Sequence, residues 1–169
     1  MGVTTSTANA GQTYIPIQST TLTTGSTSVS FSSFSGYTDL KLVYSGTPSA
    51  GAQTSLRFNS DSASNYSDTY IYGDGTTAAS GRNANTTVGY CGYIGASGNY
   101  AVLTVEIFNI SNSTSYKTYI SRGSFSGAEV GSHCGQWRGT GAITTITFAT
   151  NGANFNTGST FTLYGIKAA

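Results

Sequence analysis

Histidine occurs once in this sequence, at His133, and cysteine twice, at Cys91 and Cys134. One histidine is too few for a two-histidine metal site, and a Ser–His–Asp triad would have this ring alone to build on. His133 and Cys134 are adjacent on a predicted strand, where neighbouring side chains point to opposite faces. They cannot share a metal without a bulge, and the expectation for His133 is a half-exposed strand histidine. Cys91 and Cys134 both fall on predicted strands, and their spacing does not decide between a cross-sheet disulfide and two buried free thiols. The acids are Asp39, Asp61, Asp68, Asp74, Glu106 and Glu129. A glycosidase needs two carboxylates across a cleft with one of them desolvated, and no such pair stands out. The run Asp61–Asn65 (DSASN) has the wrong ligand pattern for a helix–loop–helix calcium site, so these acids read as turn formers. Glu106, mid-strand, is expected to pair with a lysine or arginine. The glycine-rich segments at Gly73–Gly75 and Gly95–Gly98 lack the Gly-Lys-Ser/Thr ending of a phosphate loop and read as hairpin turns, as does Asn151–Gly152. No catalytic residue, cofactor or metal site follows, and the chain does not read as an enzyme.

The tyrosines carry more. Tyr66, Tyr70, Tyr72, Tyr90, Tyr93, Tyr100, Tyr116 and Tyr119 crowd the middle of the chain. Exposed on a β surface, such rings stack on sugars or anchor a protein interface; buried, they are ordinary packing with satisfied hydroxyls. All three roles are open at this point.

Those rings must be positioned by strands. Ser and Thr supply nearly a third of the 169 residues, glycine 22, proline 2, and aromatics 12%. β-branched and aromatic residues joined by Gly, Asn and Ser turns favour pleated strands over helices. Lys and Arg number 7 and Asp and Glu 6, a net charge of +1. That balance offers no basic face for nucleic acid and no polybasic membrane anchor. No apolar run is long enough for a membrane-spanning helix, and Met1–Gln12 has no signal-peptide pattern.

Alternation predicts strands at Gln12–Gln18, Thr27–Phe31, Thr38–Ser45, Thr54–Asn59, Tyr66–Gly73, Thr87–Gly95, Tyr100–Ile110, Ser115–Arg122, Glu129–Arg138, Ala142–Thr150 and Ser159–Lys167. Pro16 places the first at an edge. Tyr100–Ile110, apolar on both faces, reads as central, and Ala142–Thr150 as bulged. Gly73–Asn85 reads as a long loop. Short strands at this spacing predict an all-β fold: a two-sheet antiparallel β-sandwich, jelly-roll-like rather than immunoglobulin-like, because Trp137 follows both cysteines. Residues 1–11 read as an extended N-terminal arm and 12–169 as one domain.

Four segments carry a family resemblance: Leu56–Ser67 (LRFNSDSASNYS), Tyr116–Arg122 (YKTYISR), Trp137–Phe148 (WRGTGAITTITF) and the ending Gly158–Ala169 (GSTFTLYGIKAA). Over roughly residues 15–169 the chain resembles small virion proteins of tailed bacteriophages, including cyanophages. The resemblance implies a non-enzymatic β-sandwich on the phage particle. It also implies synthesis in the bacterial cytoplasm, with reduced thiols as the default. A short chain without a coiled-coil or β-helical shaft points to a capsid decoration (cement) protein: a homotrimer bridging copies of the major capsid protein. Its arm would be anchored by Tyr14, Ile15 and Ile17. The alternative is a tail or head fibre domain that recognises host surface polysaccharide through its tyrosines.

Overall fold

The computed structural model describes residues 13–125 and 129–167; the predicted arm, residues 1–11, lies outside them. Twelve strands are present: β1 (Ile15–Thr21), β2 (Ser28–Ser32), β3 (Asp39–Gly46), β4 (Gln53–Phe58), β5 (Tyr66–Gly73), β6 (Ala78–Thr86), β7 (Gly89–Tyr93), β8 (Ala101–Phe108), β9 (Lys117–Phe125), β10 (Glu129–Trp137), β11 (Thr145–Asn151) and β12 (Thr160–Ile166). They form an eight-stranded sheet in the order β1-β12-β3-β8-β9-β10-β5-β6 and a four-stranded sheet in the order β2-β11-β4-β7. Every pairing is antiparallel. The protein is an all-β, jelly-roll-like sandwich, as its composition predicts.

Alternation explains which residues face inward. On β3, Leu40, Leu42 and Tyr44 are buried, and on β8 so are Leu103, Val105 and Ile107. These meet Phe31, Leu56, Phe58, Ile146 and Phe148 from the small sheet in one continuous core. Tyr44, Phe148, Phe155 and Phe161 contact one another with ring centroids 4.9–6.2 Å apart, in the tilted and offset arrangements aromatic quadrupoles favour. β8 is central, as its two-sided pattern predicts. Glu106, on its outer face, pairs with Lys41 of β3 at 3.2 Å. β1 is an edge strand, and its register shifts between Pro16 and Gln18, where proline cannot donate to the ladder.

Several expectations need correction. Gly73–Asn85 is mostly not loop: β6 occupies Ala78–Thr86 and forms the far edge of the large sheet. Only Asp74–Thr77 turns, with the Asp74 carboxylate accepting from the Thr76 and Thr77 amides at 2.9 and 2.6 Å. The strand was hidden because its alternate residues, Ala79, Gly81 and Asn83, face a cleft rather than core, so no apolar period exists to read. Gly95–Gly98 and Asn151–Gly152 are turns but not hairpins, since the strands on either side of each lie in different sheets. β11 carries no bulge: Ile143 precedes the strand, and its amide donates to the Ile110 carbonyl at 2.8 Å. The two thiols are free, with Cys91 buried between the sheets and Cys134 exposed on the outer face of β10. Burial pushes the Cys91 thiol well above its ordinary pKa, reinforced by the nearby Asp68.

Candidate aromatic cleft at the overhang of the large sheet

The large sheet has twice the strands of the small one, so part of its inner face is left uncovered. β7 is the edge of the small sheet, and its placement decides where that uncovered face begins. Two buried hydroxyls pin it: Tyr119 on β9 donates to the Tyr90 carbonyl at 3.0 Å, and Ser121 to the Cys91 carbonyl at 2.7 Å. β7 has a ladder on one side only, with β4, and these two side-chain bonds hold it to the large sheet. Gly89 and Gly135 allow the close approach; a Cβ on Gly135 would lie 2.0 Å from the Tyr119 ring.

Beyond β7, β10, β5 and β6 expose a floor of rings. Tyr70 and Tyr72 are two residues apart on β5 and share its inner face, with centroids 6.3 Å apart at 28°. His133 is the cross-strand partner of Tyr70 on β10, and the two rings stack at 5.1 Å and 28°. On the other side, Tyr70 pairs with Gly81 of β6. A Cβ there would stand 2.5 Å from the phenol oxygen and 2.6 Å from the ring. Glycine is what lets the tyrosine lie flat across the edge strand, and the ring in turn covers a strand glycine that packs poorly by itself.

Beneath the rings sits a buried polar pair. Asp68 is fully buried and accepts from His133 Nδ1 at 2.9 Å and from Asn83 Nδ2 at 3.1 Å. A carboxylate partner makes Nδ1 the donor and leaves Nε2 as the second ring nitrogen. His133 is therefore not the half-exposed strand histidine its isolation predicts: it is 7% exposed, oriented by Asp68 and covered by Tyr70. Sequence spacing could not show this, since Asp68 is 65 residues away. The pair has the first two members of a hydrolytic triad, but Ser121, opposite His133 on β9, gives its proton to the Cys91 carbonyl. Among the described residues no three His, Cys, Asp or Glu converge as metal ligands.

The resulting cleft has a volume of about 440 Å³. Tyr70, Tyr72 and His133 form one side, Tyr90, Gly92 and Tyr93 of β7 the other, and Gln53, Asn83, Glu129 and Asn151 supply polar groups. Burial holds the Glu129 carboxyl above its ordinary range; His133 pulls it down and Asp74 pushes it up. Faces of aromatic rings beside amide and carboxylate groups suit a flat, hydroxylated ligand, whose C–H faces stack while its hydroxyls hydrogen-bond.

The eight tyrosines thus divide. Tyr66 and Tyr119 are core, Tyr70, Tyr72, Tyr90 and Tyr93 line the cleft, and Tyr100 and Tyr116 are exposed elsewhere. Tyr14, Ile15 and Ile17, the predicted partner-binding residues, lie at the opposite edge of the large sheet. Ile17 packs against the core. Tyr14 stands edge-on to Tyr164 at 6.2 Å, with Lys41 Nζ 5.0 Å above its ring. Asp61 is a turn former, as expected: it accepts from the Ala63 amide, Asn65 and the Trp137 indole at 2.7–2.9 Å.

No family model and no curated protein matches the chain. Similar solved structures include galectin LEC-6 of Caenorhabditis elegans, at 11% identity and a TM-score of 0.37 over 85% of this chain and 94% of that one. The exo-inulinase of Aspergillus awamori is 12% identical, with a TM-score of 0.40 over 90% of this chain and 29% of that one. The CBM2 module of the evolved Dit protein of Lactobacillus casei BL23 phage J-1 is 5% identical, with a TM-score of 0.19 over 84% and 69%. At these scores the likenesses carry no argument about function; the architecture stands on its own hydrogen-bond ladders.

Proposed function

We propose that this protein is a non-catalytic glycan-binding β-sandwich, acting on a phage particle as a fibre-type domain that recognises host surface polysaccharide. The observation that carries the reading is the stacked floor of Tyr70, Tyr72 and His133 in an open cleft rimmed by amide side chains. A core has no use for half-exposed rings such as Tyr70 and Tyr72, and a catalytic site would need a nucleophile or a second carboxylate across the cleft. The virion assignment rests on the sequence resemblance alone. The test is a glycan array with the intact protein and its Tyr70→Ala variant. Binding by the first and not the second is the expected result; equal binding by both, or none by either, overturns the reading.

A second reading, a homotrimeric cement protein on the major capsid protein, draws on a different surface. Val102, Val130 and Ile71 lie on the outer face of the large sheet and are 42%, 63% and 62% exposed, an apolar row flanking a shallow groove with Arg122. Exposed apolar patches of this kind mark protein contacts. Imaging of labelled particles separates the two: cement covers the head, a receptor binder sits in few copies at the tail.

A further inference from the structure

Resting on the glycan-binding reading, we infer that the cleft takes sugars that are uncharged or carry a free amine, that it rejects uronates and other anionic sugars, and that Glu129 decides between them.

All seven lysines and arginines fall among the described residues, and each is placed away from the cleft. Lys41 is paired with Glu106 on the outer face. Lys117 is buried and donates to the Ser115 and Thr140 carbonyls at 2.7 and 2.9 Å. Lys167 lies over the Tyr37 ring. Arg57 donates to the Thr87 carbonyl, and Arg138 is held by Ser67 and Asn85. Arg82 and Arg122 alternate with cleft-facing residues and so point to the outer face. None of the seven lines the cleft. The remaining candidate, His133, is already matched to the Asp68 carboxylate. An anionic sugar therefore meets no uncommitted positive group, although arginine and lysine are how proteins hold carboxylates.

Glu129 adds a negative group to the cleft. It is half-buried on the cleft wall, and neither ion pair of the described residues includes it. On the strand ladder it is one step along from Gly131, which pairs with Tyr72. A carboxylate diagonal to an aromatic face is a site for an ammonium or hydroxyl donor and a repulsive one for a second carboxylate. Partial desolvation raises its pKa, outweighing the attraction of His133, and Asp74 adds to the rise.

The test uses matched sugars that share a backbone and differ in one substituent: hexose, hexosamine, N-acetylhexosamine and hexuronate, in gluco and galacto series. Affinities are measured by calorimetry for the intact protein, Glu129→Gln and Glu129→Lys, with circular dichroism confirming that each variant is folded. The intact protein is expected to bind the uronate at least about tenfold more weakly than the matched hexose, since like charges in partial burial cost well over one tenfold step. E129Q should narrow that ratio and remove any advantage of the free amine over the N-acetyl form, while E129K should invert the order. Uronates binding as tightly as hexoses, or E129Q leaving the ratio unchanged, overturns this inference but leaves glycan binding standing. No binding in any series overturns the glycan reading itself.

Discussion

Strands β5 and β10 carry aromatic residues at the end they share with Trp137 and again farther along, at Tyr70, Tyr72 and His133, and the two groups meet opposite fates. At one end Tyr66 and Trp137 are cross-strand partners, stacked 6.5 Å apart at 24°. Phe58 of the small sheet closes over them, 5.6 Å from Trp137 and 6.3 Å from Tyr66. Every polar atom there is committed: the Tyr66 hydroxyl accepts from the Phe58 amide at 3.0 Å, and the Trp137 indole donates to Asp61 at 2.7 Å. Burial pushes the Tyr66 phenol up to about 12. Toward the other end Tyr72 stacks on Tyr70 and Tyr70 on the buried His133, and the two tyrosines stay half-exposed beside β7. Both groups are stacked aromatic side chains on the inner face of the same two strands. What differs is whether the facing sheet still stands opposite, and that makes one end core and the other a binding surface.

The contrast is broken most decisively by truncating one ring at each end. Trp137→Ala is expected to cost about 3–5 kcal/mol, a cavity beneath Phe58, and to lower the melting temperature by roughly 6–20 °C at this chain length. Folded material should keep its glycan affinity. Calorimetric melting checks the first, and a cleft that loses its ligand in a still-folded Trp137→Ala protein would erase the division between the ends. Tyr70→Ala should do the reverse: about 2 kcal/mol of binding lost, roughly thirtyfold in Kd, for a stability change near 1 kcal/mol. Titration and melting on the same sample decide it.

Gly81→Val sharpens the comparison without touching a ring. Its side chain would occupy the seat of Tyr70, so binding should fall at least about tenfold while the core-end melting behaviour holds. Wild-type affinity in this variant would show that the flat pose of Tyr70 is irrelevant.

A smaller effect comes with acid at the closed end. Asp61 is partly buried, which raises its pKa, but the hydrogen bonds from Asn65, Trp137 and Ala63 outweigh this and hold it below the ordinary value. A depressed carboxyl stabilises the fold above its unfolded pKa, about 3.9, and that contribution is lost as pH falls through the folded value. Melting temperature should therefore drop more steeply below about pH 4 in the wild type than in Asp61→Asn; parallel curves would remove Asp61 from the closed end's account. Last, a thiol reagent should label Cys134 in the native protein and Cys91 only after unfolding. Native labelling of Cys91 would mean that β7 opens, and with it one wall of the cleft.

The alternation of Leu40, Leu42 and Tyr44, and of Leu103, Val105 and Ile107, makes β3 and β8 legible as strands with those residues on one face, because period-two burial is written directly into residue order; apolar residues on both faces add that β8 is central. Tyr70 and Tyr72 were legible as sharing a face for the same reason. β6 was not legible: Ala79, Gly81 and Asn83 face a cleft, and Ser80, Arg82 and Ala84 face solvent, so backbone pairing alone holds the strand. The burial of His133 is not legible in the sequence, because its environment comes from Asp68 and Tyr70 on β5, brought beside it by ladder pairing.

Residue order by itself determined the class of this fold, the faces of most strands, and a surface poor in charge, since these follow from local periodicity and composition. Which tyrosines became core and which became a cleft was decided only in the tertiary structure. That outcome depends on where a four-stranded sheet ends above an eight-stranded one, a distance between strands remote in sequence that no local pattern encodes.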